Sequence, residues 1–369
     1  ILLSPKGRIS FYILSTEPRI RDLKKYNENK YKYIFINPNN VPNKFVQYKY
    51  SKFVNFINLN TNNSKGFKYI IKKSFLTFLN FLVTGTDSKK NFVSNKQLLH
   101  YSFNKYWRSG DPIIKFTNSE VSKIIKGLPS SLDLAKPIVI LNYRESSYYK
   151  QLKKNNINNI GNQIDELFSY RNPLFECYIP TIDWLLENGF IVIKCGISTE
   201  ILNFKKEGFF DLSNSINAYN PLEHFYLSSI SKFHINGASG HQYISLLFNI
   251  PSIYTHDYTY STSPHITRLS VPSRYFDKKL NRDLTYSEQL KKINIDKPIS
   301  DDLEIIHPTN KEILEATIHF CKNQLQDKPL NEDEIKLQSK LNEQYSKITQ
   351  EKIFPFSITW ASKYTHLFK

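Results

Sequence analysis

A turn with two glycines carries the strongest chemical signal in the chain. Gly237-Ala238-Ser239-Gly240 follows a strand-like run and precedes a helical segment that begins at His241. Glycines let the backbone approach a ligand closely, Ser239 offers a hydroxyl, and free N–H groups at a helix start attract phosphate. The turn therefore indicates a phosphate site, with a ligand-free strand-to-helix turn as an equal alternative. It matches neither Walker A nor GxGxxG, which disfavours P-loop NTPases and dinucleotide folds of that type.

Two arginines and their polar neighbours form a second group of candidates. Arg144 and Glu145 follow a continuous apolar run, and a guanidinium at a strand end can hold a phosphate through two parallel hydrogen bonds. A surface ion pair with Glu145 is the more common role of such an arginine. Arg171 and Asn172 precede a helical segment and can supply a cation and an amide to the same crevice, or cap the helix. We expect these residues to line a site for an anionic ligand.

Further candidates follow other strand-like runs. Gly196 closes the run at residues 190–194, and Asp211 closes a Phe-Phe pair. The Asp211 carboxylate can accept a ribose hydroxyl, although capping the next turn is equally plausible. Glu17 follows residues 9–14 and is our candidate general base. His241 can contact a phosphate, but a polar residue at a helix start is the simpler interpretation.

Metal and thiol chemistry are disfavoured. The histidines show neither HxxxH nor HExxH spacing, which argues against zinc. Cys177, Cys195 and Cys321 are widely spaced, so they predict neither a metal cluster nor a disulfide framework, and they indicate a reducing compartment. No GxSxG elbow is present, which argues against common hydrolase mechanisms. We expect no metal and no resident cofactor.

The elements that carry these residues read as an α/β protein. Strands are predicted at residues 9–14, 33–36, 138–141, 190–194, 232–235 and 252–255, each with a turn signal nearby. Helices are predicted at residues 176–188, 221–229, 241–248 and 331–350. The apolar run at 138–141 is typical of a buried parallel strand, and ligands of open α/β sheets gather at the carboxyl ends of such strands.

Length and charge narrow the class of protein. The 369 residues suit two domains, and 40% hydrophobic with 14% aromatic content indicates a folded chain. Fifty Lys plus Arg against 33 Asp plus Glu give a net charge of +17. No apolar run is long enough to span a bilayer, and residues 1–9 do not look like a signal peptide. We expect a cytoplasmic protein that can rest on the inner face of the cell membrane.

The order of these segments resembles that of a known family. The residues that carry the resemblance are Asn142-Tyr143-Arg144-Glu145, Tyr170-Arg171-Asn172, the run to Cys195-Gly196, Phe210-Asp211, Asn236-Gly237-Ala238-Ser239-Gly240, Asn249-Ile250-Pro251, Val271-Pro272-Ser273-Arg274-Tyr275 and residues 281–288. They resemble bacterial glycosyltransferases of surface-polysaccharide loci, those of capsule and lipopolysaccharide. Residues 136–290 match well and the N-terminal part loosely. The chain departs from the pattern at Ser10-Phe11, where similar proteins tend to carry Gly-His, and at Ser273, where Arg274 can replace a lysine charge.

The resemblance implies a GT-B architecture, with two Rossmann-like domains facing a cleft and C-terminal helices packing across both. It implies an acceptor-side domain at residues 1–135, a nucleotide-sugar domain at 136–300 and a helical tail at 301–369. The donor diphosphate would lie over Ser239 and Gly240, with Arg144, Arg171 and Arg274 nearby. Glu17 would deprotonate the acceptor hydroxyl of an inverting reaction, and a retaining reaction would need no such base.

Other functions stay open from the sequence. UDP-sugar 2-epimerases share the GT-B layout and a Ser-Gly turn before a helix. The departure at Ser10-Phe11 also allows a nucleotide-sugar-binding scaffold without activity. The expected partners are a nucleotide sugar, a glycan or lipid-linked acceptor and an anionic membrane surface. Nucleic-acid binding is a weaker interpretation of the net charge.

Overall fold

The computed structural model of the chain describes residues 2–3, 33–37, 49, 54–58, 112, 114–145, 172–196, 198, 201–213, 221–237, 239, 241–257, 268–293, 299–326, 328–349 and 355–369. Within these ranges the chain is a mixed α/β protein. It divides into two compact units, unit 1 with residues 1–118 and 246–249, and unit 2 with residues 119–245 and 250–369. The strand predicted at residues 9–14 lies outside the described residues.

Unit 1 contains three short strands, β1 (Leu2–Leu3), β2 (Tyr33–Asn37) and β3 (Val54–Asn58). All three are parallel, and β2 lies between the other two. Strand β2 confirms the strand predicted at residues 33–36.

Unit 2 is built on a six-stranded parallel sheet with the order β6-β5-β4-β7-β8-β9. Its strands are β4 (Ile138–Asn142), β5 (Ile191–Lys194), β6 (Phe209–Asp211), β7 (Phe233–Asn236), β8 (Ser252–Asp257) and β9 (Arg268–Pro272). From β4, the next two strands in the chain, β5 and β6, are added in turn towards one edge. Strand β7 then pairs with the other side of β4, and β8 and β9 extend the sheet to the opposite edge. This is the strand order of a complete doubly wound Rossmann sheet, and its switch point lies between β4 and β7.

Eight α-helices surround or extend the described part of unit 2. They are α1 (Asn118–Gly127), α2 (Ile179–Glu187), α3 (Pro221–Ile230), α4 (Gln242–Leu247), α5 (Tyr286–Lys292), α6 (Asn310–Phe320), α7 (Glu332–Thr349) and α8 (Ile358–Lys363). Thr285 and Thr309 each begin a helix with a complete capping box, at α5 and α6.

The helix predicted at residues 176–188 differs from the observed one at its start. Phe175–Tyr178 form a 3₁₀ turn, and α2 begins at Ile179. Pro180 lies in the first turn of α2, where its missing N–H is not needed and its fixed φ suits the helix. The end was predicted correctly, since Gly189 follows α2 with a φ of +80°.

The core of unit 2 lies on both faces of the sheet. One face buries Val139, Leu141, Val192, Phe233 and Ile253 together with side chains of α2 and α6. The opposite face buries Ile138, Ile140, Ile191 and Ile193 with Leu227 of α3. Because both faces are covered, the central strands are continuous apolar runs, which is why the sequence predicted them within a residue or two.

A second, antiparallel sheet of unit 2 was not predicted. It consists of β10 (Arg274–Asp277), β11 (Arg282–Asp283) and β12 (Leu303–Ile306), with β10 in the middle. These strands are short and carry charged residues, so the sequence shows no clear alternation of apolar and polar residues along them.

Residues 355–357 run along the outer edge of β9. Ser270 N–H donates to the Pro355 carbonyl and Ser357 N–H donates to the Ser270 carbonyl, both at 2.7 Å. Phe356 is buried there beside Tyr286, Tyr345 and Phe368. Side chains of residues 355–369 therefore contribute to the core of unit 2. Among the described helices, none has the length and apolar character needed to cross a bilayer.

Candidate functional site

Polar residues end the central strands of the sheet on the carboxyl side. Asn142, Lys194, Asp211 and Asn236 are the last residues of β4, β5, β6 and β7. Strands β4 and β7 are the two that flank the switch point of the sheet. A ligand crevice is expected there, because the connections from these strands diverge to opposite sides.

Asn142 links three of these strand ends. Its Nδ2 donates to the Cys195 carbonyl at 2.8 Å, and its Oδ1 accepts from the Ser239 hydroxyl. Its backbone carbonyl accepts from Gly237 N–H at 2.6 Å. The side chain is almost fully buried, so the bond to the Cys195 carbonyl is shielded from water, and the bond from Ser239 is partly buried. Asn142 therefore holds the ends of β4, β5 and β7 in one arrangement.

Two predicted site glycines are required by close approach. A Cβ on Gly196 would lie 2.8 Å from Asn142 Nδ2, and the φ of Gly196 is +125°. A Cβ on Gly237 would lie 2.8 Å from the Cβ and 3.0 Å from the Cα of Tyr143. Both glycines thus serve the packing of the strand ends, whatever ligand is present.

A buried lysine is the electrostatic centre of this edge. Lys194 Nζ lies 2.9 Å from Glu145 Oε1 and 3.7 Å from Asp211 Oδ1, and it donates to Ser213 Oγ at 2.6 Å. It also lies 5.4 Å from the centre of the Tyr143 ring. The lysine side chain is only 2% exposed. We call Lys194, Glu145, Asp211 and Ser213 the Lys194 cluster.

Tyr143 closes the Lys194 cluster on one side. Burial and a hydrogen bond to Glu145 raise the pKa of the Tyr143 phenol well above its usual value. Its ring stacks on Tyr178 with 5.2 Å between centroids. The Tyr143 hydroxyl therefore stays protonated and acts as a hydrogen-bond donor to Glu145.

Asp211 is incompletely satisfied. Its Oδ1 accepts from Ser213 N–H at 2.9 Å and from the Ser213 hydroxyl. Its Oδ2 is buried and has no hydrogen-bond partner among the described residues. Asp211 also lines a groove of about 480 Å³, beside Phe204, Phe209 and Lys205.

Arg144 is placed on the same side of the sheet. Its Nη1 donates to Asn172 Oδ1 at 2.6 Å, and the residue is largely buried. The structure thus brings together two residues that the sequence assigned to one site. Arg171, Glu17 and Gly240 were also predicted to belong to the site, and all three lie outside the described residues.

The geometry of Ser239 limits what it can offer a phosphate. Its N–H donates to the Gly237 carbonyl at 2.7 Å and its hydroxyl donates to Asn142. Helix α4 has only six residues, so its helix dipole is small. Phosphate binding at this turn stays a prediction, and it would depend on groups other than the two donors of Ser239.

Arg274 has close partners within unit 2. Its Nη1 pairs with Asp283 Oδ2 at 2.5 Å, and its guanidinium lies 4.4 Å from the centre of the Tyr364 ring. The Tyr364 hydroxyl in turn donates to Glu312 Oε1 at 2.6 Å. These contacts hold Arg274 within unit 2, and its contact with a ligand stays a prediction.

Buried histidines lie behind the strand ends. His224 of α3, His234 of β7 and His241 lie close enough to influence one another, and the His224 and His241 rings are 6.3 Å apart. Burial lowers the pKa of His224 and of His234 to about 4, and lowers that of His241 well below its usual value. Both nitrogens of His241 are buried without a partner among the described residues. These imidazoles are neutral at pH 7.

His256 has an unusual backbone conformation near the end of β8. It has a φ of +55°, which non-glycine residues rarely adopt, beside an irregularity in the pairing of β8 with β9. Its Nδ1 lies 3.4 Å from the Tyr178 hydroxyl, and its ring is 5.2 Å from that of His307. Burial lowers the pKa of His256 to about 3.

Comparison with known proteins gives distant structural neighbours. No family model and no curated protein matches the chain. Among solved structures, the chain is similar to the ADP-heptose lipopolysaccharide heptosyltransferase II of E. coli, with 10% identity, a TM-score of 0.47, and coverage of 88% of this chain and 99% of that one.

Two further neighbours are weaker. The E. coli heptosyltransferase WaaC, solved with ADP, has 10% identity and a TM-score of 0.39, over 73% of this chain and 92% of that one. The iron-containing dodecameric glycosyltransferase TibC from enterotoxigenic E. coli has 12% identity and a TM-score of 0.39, over 73% of this chain and 61% of that one. At these TM-scores the likeness does not establish a common fold.

Sequence reasoning missed Lys194 and the side chain of Asn142. Lys194 ends an apolar run, which is where a strand normally meets solvent. In a chain with a net charge of +17, a single lysine is also not a distinctive signal. A usable signal exists, since both residues occupy the last position of strands that were correctly predicted. The three cysteines are free, as the spacing indicated.

Proposed function

We propose that the chain is a glycosyltransferase that moves a sugar from a nucleotide-activated donor to a hydroxyl of a surface-glycan acceptor. The observation that carries the proposal is the group of charged side chains at the carboxyl ends of β4, β5 and β6 beside the switch point. Arg144 and Lys194 are buried there, and Glu145 and Asp211 are half-buried. Burying charges is costly, and such clusters at a ligand-binding edge are typical of functional sites.

The proposed roles follow from the charges. Arg144, oriented by Asn172, would offset the negative charge that develops on the departing diphosphate as the glycosidic bond breaks. Arg171 would add a second cation, and Gly240 would let the backbone approach the ligand. The Lys194 cluster would contact the uncharged part of the donor. Glu17 is the proposed base towards the acceptor if the reaction inverts.

The chemistry as proposed needs no metal, because arginine side chains supply the positive charge at the leaving group. The acceptor would be a capsule, lipopolysaccharide or related glycan, free or linked to lipid. We further propose the division into an acceptor-side domain at 1–135, a donor domain at 136–300 and a tail at 301–369. We propose that the chain acts at the inner face of the cell membrane, where its positive net charge would favour binding to anionic lipid.

The proposal is tested by following the nucleotide product. The purified chain is incubated with a panel of nucleotide sugars, with and without lipid-linked or oligosaccharide acceptors, and free nucleoside diphosphate is measured. We expect release that depends on the acceptor and that is lost in Arg144→Ala. Donor hydrolysis or release that ignores the acceptor would argue against transfer.

A sugar-nucleotide epimerase remains the second candidate, because it would use the same donor site. Conversion of the donor sugar to its epimer without any acceptor would identify it. Tight donor binding without turnover, unchanged in Glu17→Ala, would indicate a binding scaffold instead.

A further inference from the structure

The two most exposed large apolar side chains in the described part of the chain lie near one edge of unit 2. Leu174 is 69% exposed and Ile201 is 89% exposed, whereas the other exposed large apolar side chains reach 51% at most. Single exposed apolar residues are normal on a protein surface, but a contiguous group of them marks an interaction site. The surroundings of Leu174 and Ile201 therefore decide whether they form such a site.

Both side chains adjoin a cluster of three aromatic rings. Leu174 precedes Phe175, whose ring centroid lies 5.3 Å from that of Phe204 and 5.9 Å from that of Phe209. Phe204 follows Ile201 by three residues and meets Phe209 edge-on, with 5.0 Å between the ring centroids. We call these five residues the apolar edge patch. It lies at β6, which is an outer strand of the six-stranded sheet.

The apolar edge patch continues into the groove at β6. The groove has a volume of about 480 Å³, and its apolar lining comes from Pro129, Leu202, Phe204, Phe209 and Phe210, together with Leu212. The apolar surface open to solvent is thus larger than the side chains of Leu174 and Ile201 alone. A contiguous apolar surface of this kind is favourable to cover, because covering it removes apolar area from water.

The charged residues at the rim of the groove balance one another. Lys205, Lys206 and Glu207 are exposed there, and Lys206 Nζ lies 2.5 Å from Asp183 Oδ1. The same Nζ lies 5.6 Å from the centre of the Phe204 ring. A lysine can lay its apolar stem over such a ring while its ammonium stays in water, which is how lysines lie at a membrane interface.

We propose that the apolar edge patch is the surface of unit 2 that enters the interfacial layer of a lipid bilayer, with Leu174 and Ile201 inserted. This inference rests on the proposed function, and it names the surface that meets the membrane. The net charge of +17 on the whole chain complements anionic headgroups and supplies the attraction. The balanced rim adds little cost of removing charge from water. Charge thus brings the chain to the bilayer, and the patch fixes which side of unit 2 faces it.

A bilayer suits this patch because its two most exposed side chains project from the surface. A fluid interface adapts to projecting side chains, whereas a folded partner would need hollows that match them. The occupant to be distinguished from a bilayer is a second copy of the chain, since exposed apolar patches also serve as interfaces between proteins.

The first experiment places a fluorescent reporter in the patch. Ile201→Trp and a control, Leu280→Trp at the exposed turn between β10 and β11, are mixed with vesicles of phosphatidylglycerol and phosphatidylcholine. The emission of the natural chain, which has three tryptophans, is subtracted. We expect the added tryptophan of Ile201→Trp to shift its emission to shorter wavelength and to be quenched by brominated lipid. The added tryptophan of Leu280→Trp should show neither effect.

The second experiment measures affinity for the same vesicles by co-sedimentation. The double variant Leu174→Ser, Ile201→Ser removes both inserted side chains and should bind about tenfold more weakly or worse, because less apolar area leaves water on binding. The control double variant Leu280→Ser, Ile335→Ser removes two exposed apolar side chains elsewhere and should bind as the natural chain does. All four side chains are exposed, so both variants should fold.

Three outcomes would overturn the inference: no binding to the vesicles, a bound Ile201→Trp whose emission does not change, or equal affinities of the two double variants. If the Leu174→Ser, Ile201→Ser variant binds vesicles normally but changes its oligomeric state in analytical ultracentrifugation, the patch covers a second copy and the inference is wrong. The proposed function is judged separately, by nucleotide release with a soluble oligosaccharide acceptor and no vesicles. Failure of that release would leave the fluorescence and affinity results standing.

Discussion

Arg144 is the residue at which the candidate site is most directly tested. It is largely buried and bonded to Asn172 on the side of the sheet where a diphosphate is proposed. We expect Arg144→Ala to remove most of the thermal shift produced by the best-binding nucleotide sugar, because a charge-assisted contact to phosphate is lost. Arg144→Lys should restore part of the shift, since a lysine keeps the charge but not the two-pronged geometry.

Arg282 is the matched control for Arg144. It is an exposed arginine paired with Glu288, so Arg282→Ala should leave the ligand-induced shift intact. A shift that survives in Arg144→Ala would remove Arg144 from the ligand site.

Gly237 shows that the packing of neighbouring residues, as well as a ligand, can require a glycine at a given position. An alanine Cβ there would meet the Cβ and the Cα of Tyr143 at 2.8 and 3.0 Å. Because a backbone atom cannot move aside, we expect Gly237→Ala to lower the free energy of unfolding by about 1–3 kcal/mol. Urea unfolding followed by circular dichroism measures the change.

Gly189 is the natural comparison for Gly237. It has a φ of +80°, and among the described residues no atom lies within 4 Å of the position that a Cβ would take. Gly189→Ala therefore carries backbone strain without overlap, and we expect a loss of about 1 kcal/mol. A larger effect at Gly189 than at Gly237 would contradict the argument from close approach.

At the scale of elements, the sequence predicted the strands of the sheet better than their contacts. Runs such as residues 138–141 are apolar because helices cover both faces, and that pattern is visible in one sequence. The partners of Lys194 are not visible, because Glu145 and Asp211 meet it only through the pairing of β4, β5 and β6. Short strands such as β11, whose stability comes from neighbours, leave no periodic signal.

Helix α3 and strand β7 carry buried histidines that should make unfolding sensitive to acid. Burial lowers the pKa of His224 and His234 to about 4, below the ordinary value of 6.5. The unfolded chain therefore binds more protons between these values, and stability falls as the pH drops from about 6.5 towards 4. Above pH 6.5 this contribution is fully present.

The measurement is the free energy of unfolding in urea at several pH values between 7.5 and 4.5, a range about the ordinary histidine pKa. His234→Gln keeps a polar side chain without a titrating ring and should reduce the slope. An unchanged slope in His234→Gln would show that other groups cause the acid sensitivity.

At the scale of the whole molecule, the net charge of +17 predicts electrostatic attraction to anionic lipid. We expect the chain to co-sediment with vesicles that contain phosphatidylglycerol, and to be released as salt screens the charges. Neutral phosphatidylcholine vesicles should bind little. Equal binding to both vesicle types, or binding that salt does not weaken, would rule out charge as the cause.

The packing of residues 355–369 has a consequence for synthesis of the chain. Residues 355–357 cover the edge of β9, and Trp360 and Phe368 are buried in the core of unit 2. While a ribosome still holds this segment, the outer edge of the growing sheet stays uncovered and able to pair with another nascent chain. Unit 2 can therefore close only after residues 355–369 have emerged from the ribosome.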